Sequence, residues 1–165
     1  MDLPQIGERI AVTGPNGSGK TTLLRQMARE AVRQGIRCFF LPQTPAFPPV
    51  KVLDYVLLGR TRHLPAWRKT PSRDLSIALS ALDTLHIAHF ASRPLRQLSQ
   101  GERQRCALAL ALASEADIFF LDEPSAFLDS SSRAVFYSAF ARATLAMAIH
   151  GALPPSFFTR RILLP

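Results

Sequence analysis

Short runs of consecutive apolar residues alternate along the chain with longer stretches in which apolar positions recur every three or four residues. The short runs predict buried strands and the longer stretches predict helices. The predicted elements are a strand over 9–13, a helix over 19–34, a strand over 36–41, a helix over 101–113, a strand over 117–122, a helix over 131–142 and a strand over 144–149. This alternation predicts an α/β domain with a parallel sheet flanked by helices, and the tail after Gly151 leaves room for at most one short strand.

The stretch from about residue 50 to residue 96 has a different pattern, since its apolar positions have helical spacing throughout. Two helical segments are predicted, over 52–58 and 75–85, with interruptions at Leu64–Pro65 and Thr70–Pro71 because proline lacks a backbone donor. We therefore expect one domain over residues 1–165, with a helical subdomain inserted at about 50–100. Gly35 is expected to end the first helix, where a left-handed backbone favours glycine.

Length and charge narrow the class of protein. The chain has 165 residues, of which 47% are hydrophobic, enough for one packed domain. Its net charge of +8 suits nucleic acid, anionic lipid or nucleotide phosphates and does not choose among them. No apolar run reaches the roughly 18 residues needed to cross a bilayer, and no secretory signal is visible, so a cytosolic chain is expected. Cys38 and Cys106 lie in apolar runs and are predicted to be buried thiols.

The strongest chemical signal is a glycine-rich segment between the first predicted strand and helix. Its residues follow the P-loop pattern G-x-x-x-x-G-K-[ST]: Gly14, Pro15, Asn16, Gly17, Ser18, Gly19, Lys20 and Thr21. The glycines allow a tight turn in which backbone N–H groups and a helix N-terminus face phosphate oxygens. Lys20 is expected to pair with the β- and γ-phosphates, and the Thr21 hydroxyl to bind Mg²⁺.

A second signal is the apolar strand that ends in Asp122 and Glu123. In a parallel sheet the carboxyl ends of the strands face the ligand crevice. Asp122 is therefore expected to hold Mg²⁺. Glu123 is expected to polarise a water molecule for attack on the γ-phosphate.

A third signal carries a resemblance to a known family. The segment Leu98-Ser99-Gln100-Gly101-Glu102-Arg103-Gln104-Arg105 places a polar turn before an Ala/Leu-rich helix, and Ser125-Ala126-Phe127-Leu128-Asp129 follows the Asp122-Glu123 strand end. Alone, the turn would indicate no more than a helix N-cap. Together with the P-loop, and in this order, these segments resemble the ATPase subunit of ABC transporters. The resemblance implies a P-loop NTPase (RecA-like) fold with ATP and Mg²⁺ as ligands.

The resemblance also implies a second copy of the chain. Ser99 and Gly101 would close over the γ-phosphate of an ATP held by the other protomer, so that two chains facing head to tail enclose two ATP molecules. Asp129 would lie in the loop that links the paired sites. A homodimer is therefore expected.

Three further residues enter through the resemblance. Thr22 extends the P-loop contacts to the nucleotide. Gln43 matches the glutamine that contacts Mg²⁺ or the attacking water, and His150 matches the histidine that bonds the γ-phosphate. The aspartate that usually follows this histidine is replaced here by Gly151.

The branch of the family is suggested by residues 52–63, which resemble the ATPases of importers of siderophore-bound iron, haem, cobalamin or zinc. Ala126-Phe127-Leu128-Asp129 is common in the siderophore branch. The resemblance implies that ATP hydrolysis drives uptake through transmembrane permease subunits, with a separate solute-binding protein. The chain would lie on the cytoplasmic face of the membrane, and no direct contact with nucleic acid is expected.

The chain also departs from the family pattern. Only 13 residues precede Gly14 and only 22 separate Lys20 from Gln43, so most of the antiparallel β-subdomain and the adenine-stacking aromatic residue are expected to be missing. Base stacking is worth roughly 1–3 kcal/mol in nucleic-acid systems, which predicts weaker nucleotide affinity. Two alternatives therefore stay open: a degenerate ATP-binding module that does not hydrolyse ATP, and a P-loop ATPase that acts on nucleic acid.

Overall fold

The computed structural model describes residues 2–63, 71–151, 154 and 156–165. Its tertiary contacts divide the chain into two compact units. The first consists of Met1–Thr44, Ala116–Ala126 and Phe140–Pro165, and the second of Pro45–Glu115 and Phe127–Ala139. The assignment of one domain with a helical subdomain over about 50–100 remains a proposal.

The first unit contains a five-stranded sheet. Its strands are β1 (Arg9–Thr13), β2 (Cys38–Leu41), β3 (Ile118–Asp122), β4 (Leu145–Ala148) and β5 (Arg160–Leu163). The strand order is β2-β3-β4-β1-β5, and every pair among these strands is parallel. The predicted parallel sheet is therefore confirmed, and β5 is the short final strand that the tail allowed.

Helix α1 (Lys20–Arg33) follows β1 and packs on the sheet. Its buried residues Leu24, Met27 and Ala31 recur at helical spacing. They join a core cluster with residues of β1, β2, β3 and β4, including Cys38 of β2. The helix begins one residue later than predicted, because Gly19 has a left-handed backbone with φ of 90°. The helix ends at Arg33, one residue before the predicted bound. The glycine stop is as predicted: Gly35 has φ of 74°, and the N–H of Ile36 donates to the Ala31 carbonyl at 2.9 Å.

The second unit is helical in its described part. It contains α2 (Val52–Leu57), α3 (Ser72–Thr84), α4 (Gln100–Ala113) and α5 (Ser130–Ala139), with 3₁₀ turns over Leu58–His63, Ala88–Phe90 and Leu95–Gln97. The predicted helical character is confirmed over 52–63 and 72–84, whereas 85–96 forms short 3₁₀ turns rather than a continuation of α3. The predicted interruption at Leu64–Pro65 and Thr70 lies outside the described residues.

Helix α4 is the central element of the second unit, where it contacts α2, α3 and α5. Most of its residues from Gln104 to Ala113 are buried, which explains why its sequence is apolar on nearly all sides. Cys106 lies in this buried part, so both cysteines are buried thiols, as predicted. None of the described helices is both long enough and apolar enough to cross a membrane.

Candidate functional site

The P-loop occupies the turn between the carboxyl end of β1 and the first residue of α1. Three of its glycines have positive φ: Gly14 at 154°, Gly17 at 81° and Gly19 at 90°. The first turn of α1 has no side-chain cap and no acidic residue. Its backbone N–H groups and the positive end of its dipole are therefore free of competing charge on the helix, which suits an anion.

Lys20 is held against the loop that precedes it. Its ammonium group donates to the carbonyl oxygens of Gly14 at 2.9 Å and Pro15 at 2.7 Å, and the residue is only 5% exposed. The same side chain lines the cavity described below. The buried Ser18 hydroxyl lacks a hydrogen-bond partner among the described residues. Both groups suit a ligand rich in acceptor oxygens, such as a phosphate chain.

Gly14 also meets a steric requirement that comes from the far end of the chain. A Cβ atom at this position would lie 2.6 Å from Ser18 Oγ and 2.9 Å from the Leu164 carbonyl oxygen. Leu164 is placed there because its N–H donates to the Thr13 carbonyl at 2.8 Å, which continues the pairing of β5 with β1. The tail therefore packs against the base of the P-loop.

We expect Gly14→Ala to destabilise the protein more than Gly7→Ala does. A Cβ at Gly7, where φ is 78°, would meet nothing within 4 Å, so that substitution tests backbone strain alone, worth about 1 kcal/mol. Gly14→Ala adds the clash with the Leu164 carbonyl, and we expect at least about twice the loss. Thermal unfolding of the two variants measures the difference; equal losses would show that the tail does not confine the loop.

Thr21 and Asp122 form the part of the site that suits Mg²⁺. The Thr21 hydroxyl donates to Asp122 Oδ2 at 2.7 Å, and the buried Asp122 Oδ1 has no partner among the described residues. Hydroxyl and carboxylate oxygens are the hard ligands that Mg²⁺ prefers. Among the described residues there is no cluster of three or more His, Cys, Asp or Glu side chains that could enclose a metal by itself. This donor set fits Mg²⁺, which commonly takes one or two carboxylates and completes its shell with phosphate oxygens and water.

Glu123 lies between Gln43 and His150. Gln43 Nε2 donates to one carboxylate oxygen of Glu123 at 3.0 Å, and His150 Nε2 lies 2.7 Å from the other. The three residues follow β2, β3 and β4, which are neighbours in the sheet, so the parallel topology brings them to one edge. Glu123 itself has a left-handed φ of 49°, which is uncommon for a residue with a side chain.

Lys20, Thr21, Gln43, Glu123 and His150 line one cavity of about 680 Å³ in the first unit. Its lining residues are Asn16, Gly17, Gly19, Lys20, Thr21, Thr22, Gln43, Glu123 and His150. Asp122 lies beside this cavity through its bond to Thr21. The structure thus brings together the P-loop side chains and all three residues expected to act at the γ-phosphate. A volume of this size is within the range of pockets that hold small-molecule ligands and cofactors.

Ser99 and Gly101 belong to the second unit, at the start of α4. Ser99 is the N-cap in a capping box: its hydroxyl accepts from the Glu102 N–H at 3.3 Å, and its own N–H donates to Glu102 Oε2 at 2.7 Å. The Ser99 O–H proton remains available as a donor to an external acceptor. Gly101 is required by packing, because a Cβ there would lie 2.8 Å from the Phe127 carbonyl oxygen.

Asp129 caps the start of α5, as Ser99 caps the start of α4. Its carboxylate accepts from the Ser131 hydroxyl at 2.8 Å and from the Ser132 N–H at 2.7 Å. These bonds, the backbone one above all, hold the pKa of Asp129 below its usual value. The carboxylate is therefore ionised at neutral pH and serves as the cap of α5.

The capping box predicts a pH dependence of stability. The Ser99 backbone N–H, together with the Ser99 side chain, lowers the pKa of Glu102. A carboxyl group with a lowered folded pKa stabilises the fold above its unfolded pKa of about 4.3, and this stabilisation is lost as the pH falls through the folded value.

We therefore expect the wild type to lose stability relative to Glu102→Gln as the pH falls from about 5 to 3, because glutamine keeps the cap and does not titrate. The change should be about 0.5 kcal/mol, since Glu102 is only partly buried and solvent weakens the interaction. Thermal unfolding of both proteins across this range measures it. Asp117 and Asp129, whose pKa values are also lowered, are common to both proteins and cancel. A constant gap between the two proteins would contradict the prediction.

The sequence did not identify Arg161 and Leu164, which contact the carboxyl end of β1 and the first glycine of the P-loop. Arg161 of β5 donates through Nε to Thr13 Oγ1 at 2.8 Å, directly before Gly14, and Leu164 meets Gly14 as described above. Neither residue belongs to a motif. Only the pairing of β5 with β1, which joins positions about 150 residues apart, brings them to the loop.

The sequence of the chain is similar to known proteins over most of its length. The family model described as ABC transporter matches residues 3–126. The molybdate import ATP-binding protein MolC of Haemophilus influenzae is 37% identical over 139 residues, which cover 80% of this chain and 55% of that protein. Other relatives are a phosphonates import ATP-binding protein and a manganese transport system ATP-binding protein. The chain spans 55–60% of the length of these curated relatives.

Solved structures agree in fold. A protein assigned to the metal-chelate type of ABC transporter, in an inward-facing conformation, has a TM-score of 0.78 and 31% identity, with 97% of this chain and 69% of that chain covered. The dimeric structure of a bacterial ABC transporter cassette has a TM-score of 0.85 at 23% identity, with 99% of this chain and 83% of that chain covered. The predicted fold class, an α/β P-loop NTPase with a parallel sheet flanked by helices, is confirmed.

Proposed function

Because the chain belongs to the ABC transporter family, as its ATP-binding domain, we propose that it binds and hydrolyses ATP to energise an importer. The single observation that carries this proposal is the edge of the sheet described above. There the P-loop lysine, the Thr21–Asp122 pair and the Glu123 carboxylate all border one cavity or lie directly beside it. Each group has the chemistry that phosphoryl transfer to water requires.

The roles follow from the positions of the groups. The N–H groups at the start of α1 and the Lys20 ammonium bind the β- and γ-phosphates and stabilise the charge that they carry. Thr21, Asp122 and Gln43 would hold Mg²⁺, which when bound neutralises phosphate charge. Asn16 and Thr22, which line the cavity, add polar contacts to the phosphate chain.

Glu123 is the proposed general base. Gln43 and His150 fix both of its carboxylate oxygens, so the carboxylate is oriented toward the cavity rather than toward bulk solvent. An oriented carboxylate can accept the proton of a water molecule as that water attacks the γ-phosphate. His150 and Gln43 can then bind the γ-phosphate and the attacking water, as the family resemblance implies.

The second half of the site is proposed to come from another protomer. The Ser99 O–H and the N–H groups of α4 outside the capping box form a helix N-terminus with a hydroxyl donor, which suits an anion. Unlike the start of α1, this terminus already carries one carboxylate, Glu102. In the proposed homodimer, Ser99 and Gly101 of one chain cover the γ-phosphate bound by Lys20 of the other, and Asp129 lies in the loop between the two sites.

The partners and the substrate are narrower proposals. The proposed partners are membrane permease subunits and a separate solute-binding protein, and the proposed location is the cytoplasmic face of the membrane. Relatives named as import ATP-binding proteins support the permease subunits. The stretch 52–63 and the likeness to the metal-chelate type of transporter support a metal complex as cargo, with iron-siderophore as one candidate. Relatives are named for molybdate, phosphonates and manganese, so their names do not narrow the cargo to iron.

The experiment that tests the function is association driven by ATP. Purified protein should bind Mg-ATP, and Glu123→Gln should accumulate as a dimer when Mg-ATP is added, as measured by light scattering. Ser99→Arg in that background should abolish the dimer and leave nucleotide binding intact, because Ser99 serves the opposite protomer. Ser80→Arg, at an exposed position of α3, is the matched control. Absence of binding at millimolar nucleotide would overturn the proposal.

A further inference from the structure

Arg60 is a buried arginine outside the candidate site. It is only 3% exposed, although arginine is rarely buried unless it is paired. Arg60 belongs to the 3₁₀ turn Leu58–His63. This turn is part of the stretch 52–63 that resembles importers of metal chelates, but the resemblance assigns Arg60 no chemical role. Its environment therefore needs an explanation of its own.

The guanidinium group of Arg60 has three partners. Nε donates to Asp74 Oδ1 at 2.8 Å, and NH1 donates to the Ala113 carbonyl at 2.8 Å and to Glu115 Oε2 at 2.7 Å. Asp74 is buried as well, whereas the Glu115 side chain is 45% exposed. The rigid fork of an arginine thus joins α3 to the C-terminal turn of α4.

The backbone beside Arg60 is fitted to the same turn of α4. A Cβ atom on Gly59 would lie 2.5 Å from the Leu110 carbonyl oxygen and 3.2 Å from the Ser114 backbone nitrogen. Only glycine lets the chain approach α4 so closely. The positive charge of Arg60 lies at the negative end of the α4 dipole, where a cation is favourable. Gly59 and Arg60 together hold the C-terminal end of this helix.

The opposite end of α4 carries Ser99 and Gly101. A helix of 14 residues is about 20 Å long, so a small tilt at its C-terminus moves its N-terminus by an ångström or more. At the N-terminus, Gly101 lies against the Phe127 carbonyl with no space for even a methyl group. The helix is therefore confined at both ends, and its orientation decides where the Ser99 hydroxyl is presented.

We propose that Arg60 is a positioning residue: through its bonds to Asp74, Ala113 and Glu115 it fixes the orientation of α4 and so places Ser99 and Gly101 for the opposite protomer. The inference rests on the proposed function for its effect on the dimer, but not for its effect on α4 itself. Stability alone does not call for this arrangement, since a buried ion pair can often be replaced by apolar side chains of similar volume without loss. The arginine fork adds defined geometry.

The test separates positioning from stability. Arg60→Met combined with Asp74→Leu removes both buried charges at once. The Glu115 carboxylate loses its partner but is 45% exposed and can be hydrated, so the thermal midpoint should stay within about 4 °C of the parent. Hydrogen exchange of the Glu102 and Arg103 amides, at the far end of α4, should become about tenfold faster. In the Glu123→Gln background, the dissociation constant of the ATP-driven dimer should rise at least tenfold, while nucleotide affinity of the single chain should change less than twofold.

Two further variants complete the experiment. Arg73→Met with Asp83→Leu makes the same two replacements at exposed positions of α3 and should change neither readout. Arg60→Lys keeps the charge but loses the fork, so it should shift both readouts in the same direction as the double variant. It takes the place of the double variant if that protein does not fold. Unchanged exchange and unchanged dimerisation in a folded variant would overturn the inference. If the parent does not dimerise, the proposed function fails, and the exchange measurement still decides whether Arg60 positions α4.

Discussion

Glu123→Gln is expected to reduce the rate of ATP hydrolysis about a thousandfold, within the range of 10²–10⁴ that a positioned general base contributes. Glutamine has the same shape as glutamate and can still contact Gln43 and His150, but its amide oxygen cannot take a proton from water. Binding of ATP should therefore survive while turnover is lost. Steady-state phosphate release, measured beside nucleotide affinity, shows this separation directly.

Glu30→Gln is the matched control for this prediction. Glu30 lies on α1 in the same unit, where it forms surface contacts with Arg33 and Gln34. The control should keep the wild-type rate, since it changes charge by the same amount away from the cavity. A Glu123→Gln protein that retained more than about a tenth of wild-type turnover would exclude Glu123 as the base.

Lys20→Met is expected to weaken nucleotide binding about a hundredfold. The substitution keeps the buried stem but removes the ammonium group, together with its bonds to the Gly14 and Pro15 carbonyls. A hydrogen bond to a charged group contributes roughly 1.5–3 kcal/mol, and about 1.4 kcal/mol corresponds to a tenfold change in affinity. Titration with a fluorescent ATP analogue measures the loss.

Lys51→Met provides the comparison, because Lys51 is an exposed lysine of the same chain. Its substitution changes the net charge equally and should leave affinity within about twofold of the wild type. Similar losses in both variants would mean that nucleotide binding depends on overall charge rather than on the P-loop. Binding by Lys20→Met within threefold of the wild type would remove Lys20 from the site.

Much of the first unit could be predicted because its signals are local. The strands β1 and β3 are apolar runs followed directly by the P-loop and by Asp122-Glu123, and the Gly35 stop of α1 depends on one residue. The observed ends of these elements differ from the predicted ends by one or two residues, because the backbone conformation at each end sets where the element begins or stops. Gly19 illustrates this: its left-handed conformation makes it the N-cap of α1 instead of its first residue.

The remaining features depend on contacts between distant parts of the chain. The meeting of Gln43, Glu123 and His150 requires β2, β3 and β4 to be neighbours, and no local pattern states the order of strands in a sheet. The family resemblance supplied these residues without showing why they meet. Arg60 was missed because an arginine in a helical stretch normally lies at the surface, and only tertiary packing reveals that it is buried.

The burial of both thiols has a practical consequence for studying this protein. Burial raises the pKa of Cys106 to about 12, so this sulfur supplies almost no thiolate to a reagent at neutral pH. Cys38 lies in the core beneath α1, where its sulfur is shielded from reagents in solution. We therefore expect the two natural cysteines of the folded chain to react little with maleimide and spin-label reagents. A single cysteine introduced at an exposed position of α5 or of the tail would report distances between labelled molecules without first removing the natural ones.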